Sequence, residues 1–329
     1  QYAQCFFHYI YLTFKLARFI RLTNLIMTKK FLLQVTLLFL PLTFLCAQEI
    51  GHYKNIADTT SNDLIKLEAI DSLLKKTFHS DQDTFITYSY IYIDLAKKID
   101  SIELAARKAM NLQYPLTAFK NSPQKAIMVI NGVLAHKYKI KDSFLLGGLY
   151  LKKGAANFRL DFNEAVKDYT LALENFSIRD SVHLADAYLF RGQANSSLGH
   201  FVSAGEDYNA AYTYYENLKD YKYMLHAQQG IITMFSMNGF YDLAKKERDE
   251  MIQNLKELDL TEYLATEYYN QALDYRKTGK NSLQLESLLE AKRHQNDSLN
   301  GKMFFNIHAK LAEYYSRHNQ LEMAKKEIN

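Results

Sequence analysis

Between residues 181 and 220 the small and apolar positions recur at helical spacing. Ala204, Tyr208 and Ala211 are four and seven residues apart on one helix face, and Gly192 and Gly199 precede them. The pattern predicts one helix over about 182–198, a glycine turn, and a second helix over about 202–218. Gly192 and Ala204 are small where the two helices of such a hairpin cross, which lets their backbones approach closely. One hairpin cannot bury its apolar face without neighbours, so more units are expected.

They are present. Gly199, Gly239 and Gly279 are 40 residues apart, and Asn319 continues the series. Ala204 and Ala244 keep the same step, Gln284 fills the next slot, and Ala324 follows. Ala211, Met251 and Ala291 form a third column. Ala165 and Ala126 extend the second column backwards, as Ala172 and Val133 extend the third. A period of 39 to 40 residues held over some 200 positions predicts a solenoid or array. Asp100-Ser101, Asp142-Ser143, Asp180-Ser181 and Asp297-Ser298 recur between units, with Asp220 and Asp259 in the remaining slots. Asp and Ser satisfy the free N–H groups at a helix start, so each is expected to cap the first helix of a new unit. The glycines are expected to end first helices in the left-handed conformation.

With Gly192, Gly199, Ala204, Tyr208 and Ala211 in one copy and Gly154, Ala165, Tyr169 and Ala172 in the copy before it, the chain resembles the tetratricopeptide repeat (TPR) family. The resemblance covers about 100–329 well and 61–99 loosely, as a divergent first helix pair. It departs from the family in its longer period, in the absence of tryptophan, and at Arg248, which stands where an aromatic is expected. It implies an all-α, helical-hairpin solenoid, a TPR-like superhelix. It also implies protein or peptide binding on a concave face lined by first helices. Carried over by position, that face holds Gln193, Thr233, Tyr269, Arg276, Lys277 and Arg317, along with Leu189, Ser196, Gln229, Ser236, Leu273 and Glu313. The Lys/Asn cluster with which some family members hold a terminal carboxylate is absent from it.

Charge and composition refine this picture. The formal net charge is +4, but Lys15, Arg18, Arg21, Lys29 and Lys30 fall in residues 1–47, which carry no acid. The remaining 35 basic and 36 acidic residues nearly cancel, and no basic stripe marks a nucleic-acid surface. Lys29 and Lys30, an apolar run from Phe31 to Leu45, and Ala47 read as a signal peptide over 27–47. The run is short for a membrane span and contains Pro41. Export, with a periplasmic location, is therefore expected. Both cysteines, Cys5 and Cys46, lie in the leader region, so the mature chain would form no disulfide. Residues 1–26 contain no methionine and read as an upstream segment, and 48–60 reads as a linker. The last unit stops five residues past Ala324, which suggests a continuing helix followed by a cap or a membrane span. Membrane contact is expected only through the leader or such a segment.

No phosphate loop, HExxH, CxxC or G-x-S-x-G pattern occurs. His308 and His318 lack further ligands at a useful spacing for zinc. The acid pairs Glu206-Asp207 and Asp249-Glu250 are expected on solvated helix faces. The tyrosines Tyr208, Tyr212, Tyr214, Tyr215, Tyr221 and Tyr223 are expected to pack between repeats. No catalytic residue, cofactor or metal is assigned. The expected function is that of a protein- or peptide-binding solenoid, resembling the exported sensor regions of Bacteroidetes signal-transduction regulators. The alternative is a free-standing exported scaffold.

Overall fold

The amphipathic pattern becomes helix at every unit. The structure is a computed structural model that describes residues 48–295 and 301–328. The leader, the upstream segment, Asp297-Ser298 and Asn329 lie outside the described residues. The described chain divides into two compact units, residues up to Asn175 and from Phe176 onward.

The first unit begins with α1 (48–59). Residues 48–59 of the expected linker are therefore a helix. Ile50, Tyr53, Ile56 and Ala57 recur at three- and four-residue steps, and Ala57 is fully buried while the other three pack on the core. The divergent pair follows as α2 (Asp63–Thr77), capped by the Asn62 side chain, and α3 (Gln82–Lys98), capped by Asp81. Next come α4 (Ile102–Tyr114), α5 (Pro123–Leu134), α6 (Ser143–Asn157) and α7 (Phe162–Asn175). Pro115 continues α4 without breaking it, because the backbone widens into a π turn over Pro115–Phe119 that ends with Lys120 N–H donating to Pro115 O at 3.2 Å. Pro123 sits at the first helical position, where the N–H it lacks would have had no partner. Ile70, Leu73, Leu112, Leu116, Ile130, Leu145 and Leu149 fill the core.

The second unit contains α8 (Ser181–Ser197), α9 (Phe201–Leu218), α10 (Tyr221–Met237) and α11 (Tyr241–Glu257). It continues with α12 (Leu264–Lys277), α13 (Asn281–His294), α14 (Gly301–Arg317) and α15 (Leu321–Ile328). Each odd-numbered helix returns against the even-numbered helix before it, as the hairpin pattern predicts.

The turn column has the expected geometry. Gly199, Gly239, Gly279 and Asn319 all take positive φ, between 59° and 79°. The aspartate column is mixed. Asp142 and Asp220 accept hydrogen bonds from Phe144 and Tyr223 N–H and cap their helices. Asp100 and Asp259 instead have positive φ, 61° and 56°, and close the preceding helix, while the Asp180 carboxylate turns back to Ser177. One residue type thus recurs for two reasons: Asp both caps helix starts and tolerates the left-handed turn.

The tyrosines also divide. Tyr208 and Tyr215 are buried, Tyr212 and Tyr214 pack against the same core, and Tyr221 and Tyr223 are exposed. Tyr208 lies between two glycines: a Cβ on Gly192 would stand 3.1 Å from its ring, and one on Gly230 in the next hairpin 2.6 Å. Tyr215 donates to Asp186 at 2.6 Å, and burial followed by that carboxylate raises its phenol well above the ordinary range.

Candidate functional site

Inside three of the hairpins, α6–α7, α8–α9 and α12–α13, a polar pair crosses from the first helix to the second at one register. In the first unit Lys153 and Asn157 of α6 donate to Asp168 of α7 at 2.9 and 2.7 Å. Burial raises the Asp168 carboxyl, and these two donors oppose the shift. In the second unit Arg191 grips both oxygens of Asp207, with Asn195 adding a bond at 3.0 Å. Gln271 accepts from Ser287 at 3.0 Å in the corresponding place between α12 and α13. Asp207 is 3% exposed. Of the acid pairs expected on solvated faces, Glu206, Asp249 and Glu250 are exposed, but Asp207 belongs to the core. It is buried because a cation stands opposite it, and that pairing crosses sixteen residues of sequence.

The hairpin of α10 and α11 breaks this register. Ile231 replaces the cation, and Arg248 occupies the slot that Tyr169 and Tyr208 hold in earlier hairpins. Arg248 is 3% exposed and reaches into the next hairpin. It donates to Glu267 of α12 at 2.9 Å and to Asp274 at 3.0 Å. Ser236 of α10 donates to the same Asp274 oxygen at 2.8 Å. Where Tyr208 meets the small Gly230, the register puts Asn270 opposite Arg248.

Beside this cluster, α10 and α12 flank a cavity of about 390 Å3, with Met251 of α11 at its floor. Lys222, Leu225, His226, Gln229 and Thr233 form its α10 wall, at steps of three, four and seven residues. Tyr263, Thr266, Glu267 and Asn270 form the opposite wall. A 3-10 turn over Thr261–Tyr263 leads into α12. In the amide orientation that satisfies both side chains, Gln229 bridges the groove. It donates to both Glu267 oxygens, 2.8 Å from Oε2, and accepts from Thr233 at 3.2 Å. Burial raises the Glu267 carboxyl above its ordinary value, with Arg248 opposing that shift. Burial, then Lys222, lowers the His226 imidazole, which is neutral at pH 7. The cavity thus offers an apolar floor and several hydrogen-bonding groups, the composition of a binding groove.

Of the twelve residues expected on the partner-binding face, Gln229 and Thr233 line this cavity. Gln193 is half-buried on α8 and Tyr269 packs against the α12–α15 core. Arg276 pairs with Glu313 at 2.6 Å, and hydrogen bonding from Lys310, with Arg276 adding to it, lowers that carboxyl. Lys277 stands over the Tyr241 ring, and Arg317 donates to Gln284 at 3.4 Å. The sequence reading missed Glu267 and Asn270, whose signal was Arg248 in an aromatic slot. His308 pairs with Glu327 at 2.7 Å, and His318 stacks on Tyr314. Among the described residues no group of His, Cys, Asp or Glu is placed to hold a metal, and no helix is long and apolar enough to cross a membrane.

No sequence family matches the chain, and no characterised protein matches it in sequence. Its fold is shared with solved structures. A tetratricopeptide repeat protein from Parabacteroides merdae superposes with a TM-score of 0.55 at 15% identity, over 79% of this chain and 90% of that one. The apo form of RapI gives 0.56 at 14% identity, over 86% and 74%. Aspartyl phosphate phosphatase F from Bacillus subtilis gives 0.54 at 12% identity, over 86% and 92%. The chain has the all-α, TPR-type helical solenoid fold.

Proposed function

We propose that this chain is a binding solenoid that holds an extended peptide or protein segment in the groove between α10 and α12. The observation that carries the reading is the 390 Å3 cavity, walled by one face of each of two successive first helices. Repeat arrays of this kind use the surfaces of stacked units to bind partners. The fold shared with RapI and the P. merdae repeat protein is consistent with a scaffold role. At 12% identity, the phosphatase named among the similar structures lends its fold and not its reaction. The site walls offer hydrogen-bonding side chains and no nucleophile–base pair, so binding is the chemistry proposed.

The test is selection from a random twelve-residue peptide library on the purified protein, repeated with Thr266→Trp, which fills the groove from a half-exposed position. Enriched peptides whose binding is lost in Thr266→Trp support the reading. Enrichment that is indifferent to Thr266→Trp places the partner on another surface, such as the Arg276 and Lys277 face.

The leader over 27–47 supports export to the periplasm, and with it the extracytoplasmic sensor or interaction region of a signal-transduction protein. A free-standing exported scaffold is the alternative. N-terminal mass spectrometry on protein from a bacterial host that recognises the leader should find a chain beginning at Gln48. An intact leader on the mature protein would reject export.

A further inference from the structure

We infer that the α10–α12 groove selects peptides that bring a positive charge, an N-terminal ammonium or a lysine side chain, to Glu267. This rests on the groove being the binding site. Behind the groove wall two carboxylates, Glu267 and Asp274, share the single guanidinium of Arg248. Asp274 has further support from Ser236 and from Lys277, 3.9 Å away on the solvent side. Among the described residues Glu267 has only the shared guanidinium and the neutral amide of Gln229. The Lys277 ammonium therefore serves Asp274 on the solvent side, and Glu267, on the side that faces the cavity, shares its one cation with a second carboxylate. A buried charge without full compensation is costly, and a ligand cation at that point would supply Glu267 with a partner of its own.

The surrounding groups agree with this placement. A carboxylate has about four acceptor positions, of which Arg248 and Gln229 use part, so a further donor can bind without displacing Arg248. Lys222 stands seven residues before Gln229, about 10 Å along α10, and the cation that acts on Glu267 is Arg248. His226 is neutral at pH 7 and does not oppose a cation. Leu225, Met251 and Tyr263 supply apolar surface for the flanking side chains. Asn270, one turn beyond Glu267, is placed to hydrogen-bond the peptide backbone.

Three synthetic pentapeptides test this by calorimetry at pH 7: Ala-Leu-Met-Leu-Ala amide with a free N-terminus, the N-acetylated form with Lys at the centre, and the N-acetylated form with Met there. The expected result is that one of the two cationic peptides binds at least ten-fold tighter than the neutral one, and which of them does so identifies the source of the charge. Glu267→Gln should reduce that preference below three-fold. Because Glu267→Gln disturbs the Arg248 pair, Gln229→Leu provides a second arm: it leaves the pair intact, removes the neutral donor and should increase the cation preference. Equal binding of all three peptides, no binding of any, or a preference that survives Glu267→Gln would overturn the inference. Library peptides that bind in the groove but show no cation preference would leave the binding reading standing and reject this one alone.

Discussion

Two consecutive hairpins of the second unit share a backbone plan and differ in how they are held. In α8–α9 the Tyr208 ring lies between Gly192 and Gly230, while Arg191 and Asn195 hold Asp207 across the same hairpin. The polar contacts stay inside one unit and the apolar ring makes the contact with the next. In α10–α11 the aromatic slot holds Arg248, whose partners Glu267 and Asp274 both belong to the following hairpin. The contact between units has become polar, and a cavity opens beside it. A single slot of the repeat can therefore serve as hydrophobic glue or as a charged tie, and only the charged form places an acid on a groove.

The comparison is broken most severely by removing the tie. Arg248→Met should leave the buried Glu267 and the part-buried Asp274 without their guanidinium and cost about 3–5 kcal/mol. Chemical denaturation would show this as a lower midpoint for the second unit. A loss near zero would mean that the carboxylates are neutral or hydrated in the native state. The equivalent probe of the apolar tie is Gly230→Ala or Ala204→Leu, each of which overpacks a contact around Tyr208 or its helix and should cost about 1–3 kcal/mol. A thermal melt unchanged by either would tell against the assigned register.

Much of this plan was legible in the sequence. Gly199, Gly239, Gly279 and Asn319 gave the turns because a left-handed residue has few alternatives, and the Ala204 and Ala211 columns gave the packing because closely crossed helices admit only small side chains. Arg248 was visible as a departure. Its partners were not, because Glu267 and Asp274 lie in another hairpin and no local rule links them to position 248. Asp207 looked solvated for the same reason: its cation lies sixteen residues away, across a turn. The helix over 48–59 was hidden by its position directly behind residues 27–47, which read as a leader, although Ile50, Tyr53 and Ile56 already had helical spacing.

Smaller effects sharpen the contrast. Glu267 has its folded-state pKa raised by burial, so in the window from its ordinary value of 4.5 upward the native state holds more protons than the unfolded chain. Stability should therefore fall as pH rises through that window. Glu267→Gln should flatten the slope there, and a denaturation series over pH 4 to 7 would read it. A slope identical in wild type and variant would contradict the assignment. Glu313 has the opposite sign, since its lowered value adds stability that is lost as pH falls below 4.5. Its pair with Arg276 is half-exposed, and Arg276→Ala should cost no more than about 1 kcal/mol.

The most direct test of the charged tie is a double-mutant cycle on Arg248 and Glu267. Stabilities of the wild type, Arg248→Met, Glu267→Gln and the double variant give the coupling between the two hairpins. If Arg248 ties α11 to α12 through Glu267, the coupling should fall in the upper part of the range for contacting pairs, about 1–3 kcal/mol. Additive losses, with a coupling within about 0.5 kcal/mol of zero, would show that the slot holds the hairpins together by other means and would contradict the account.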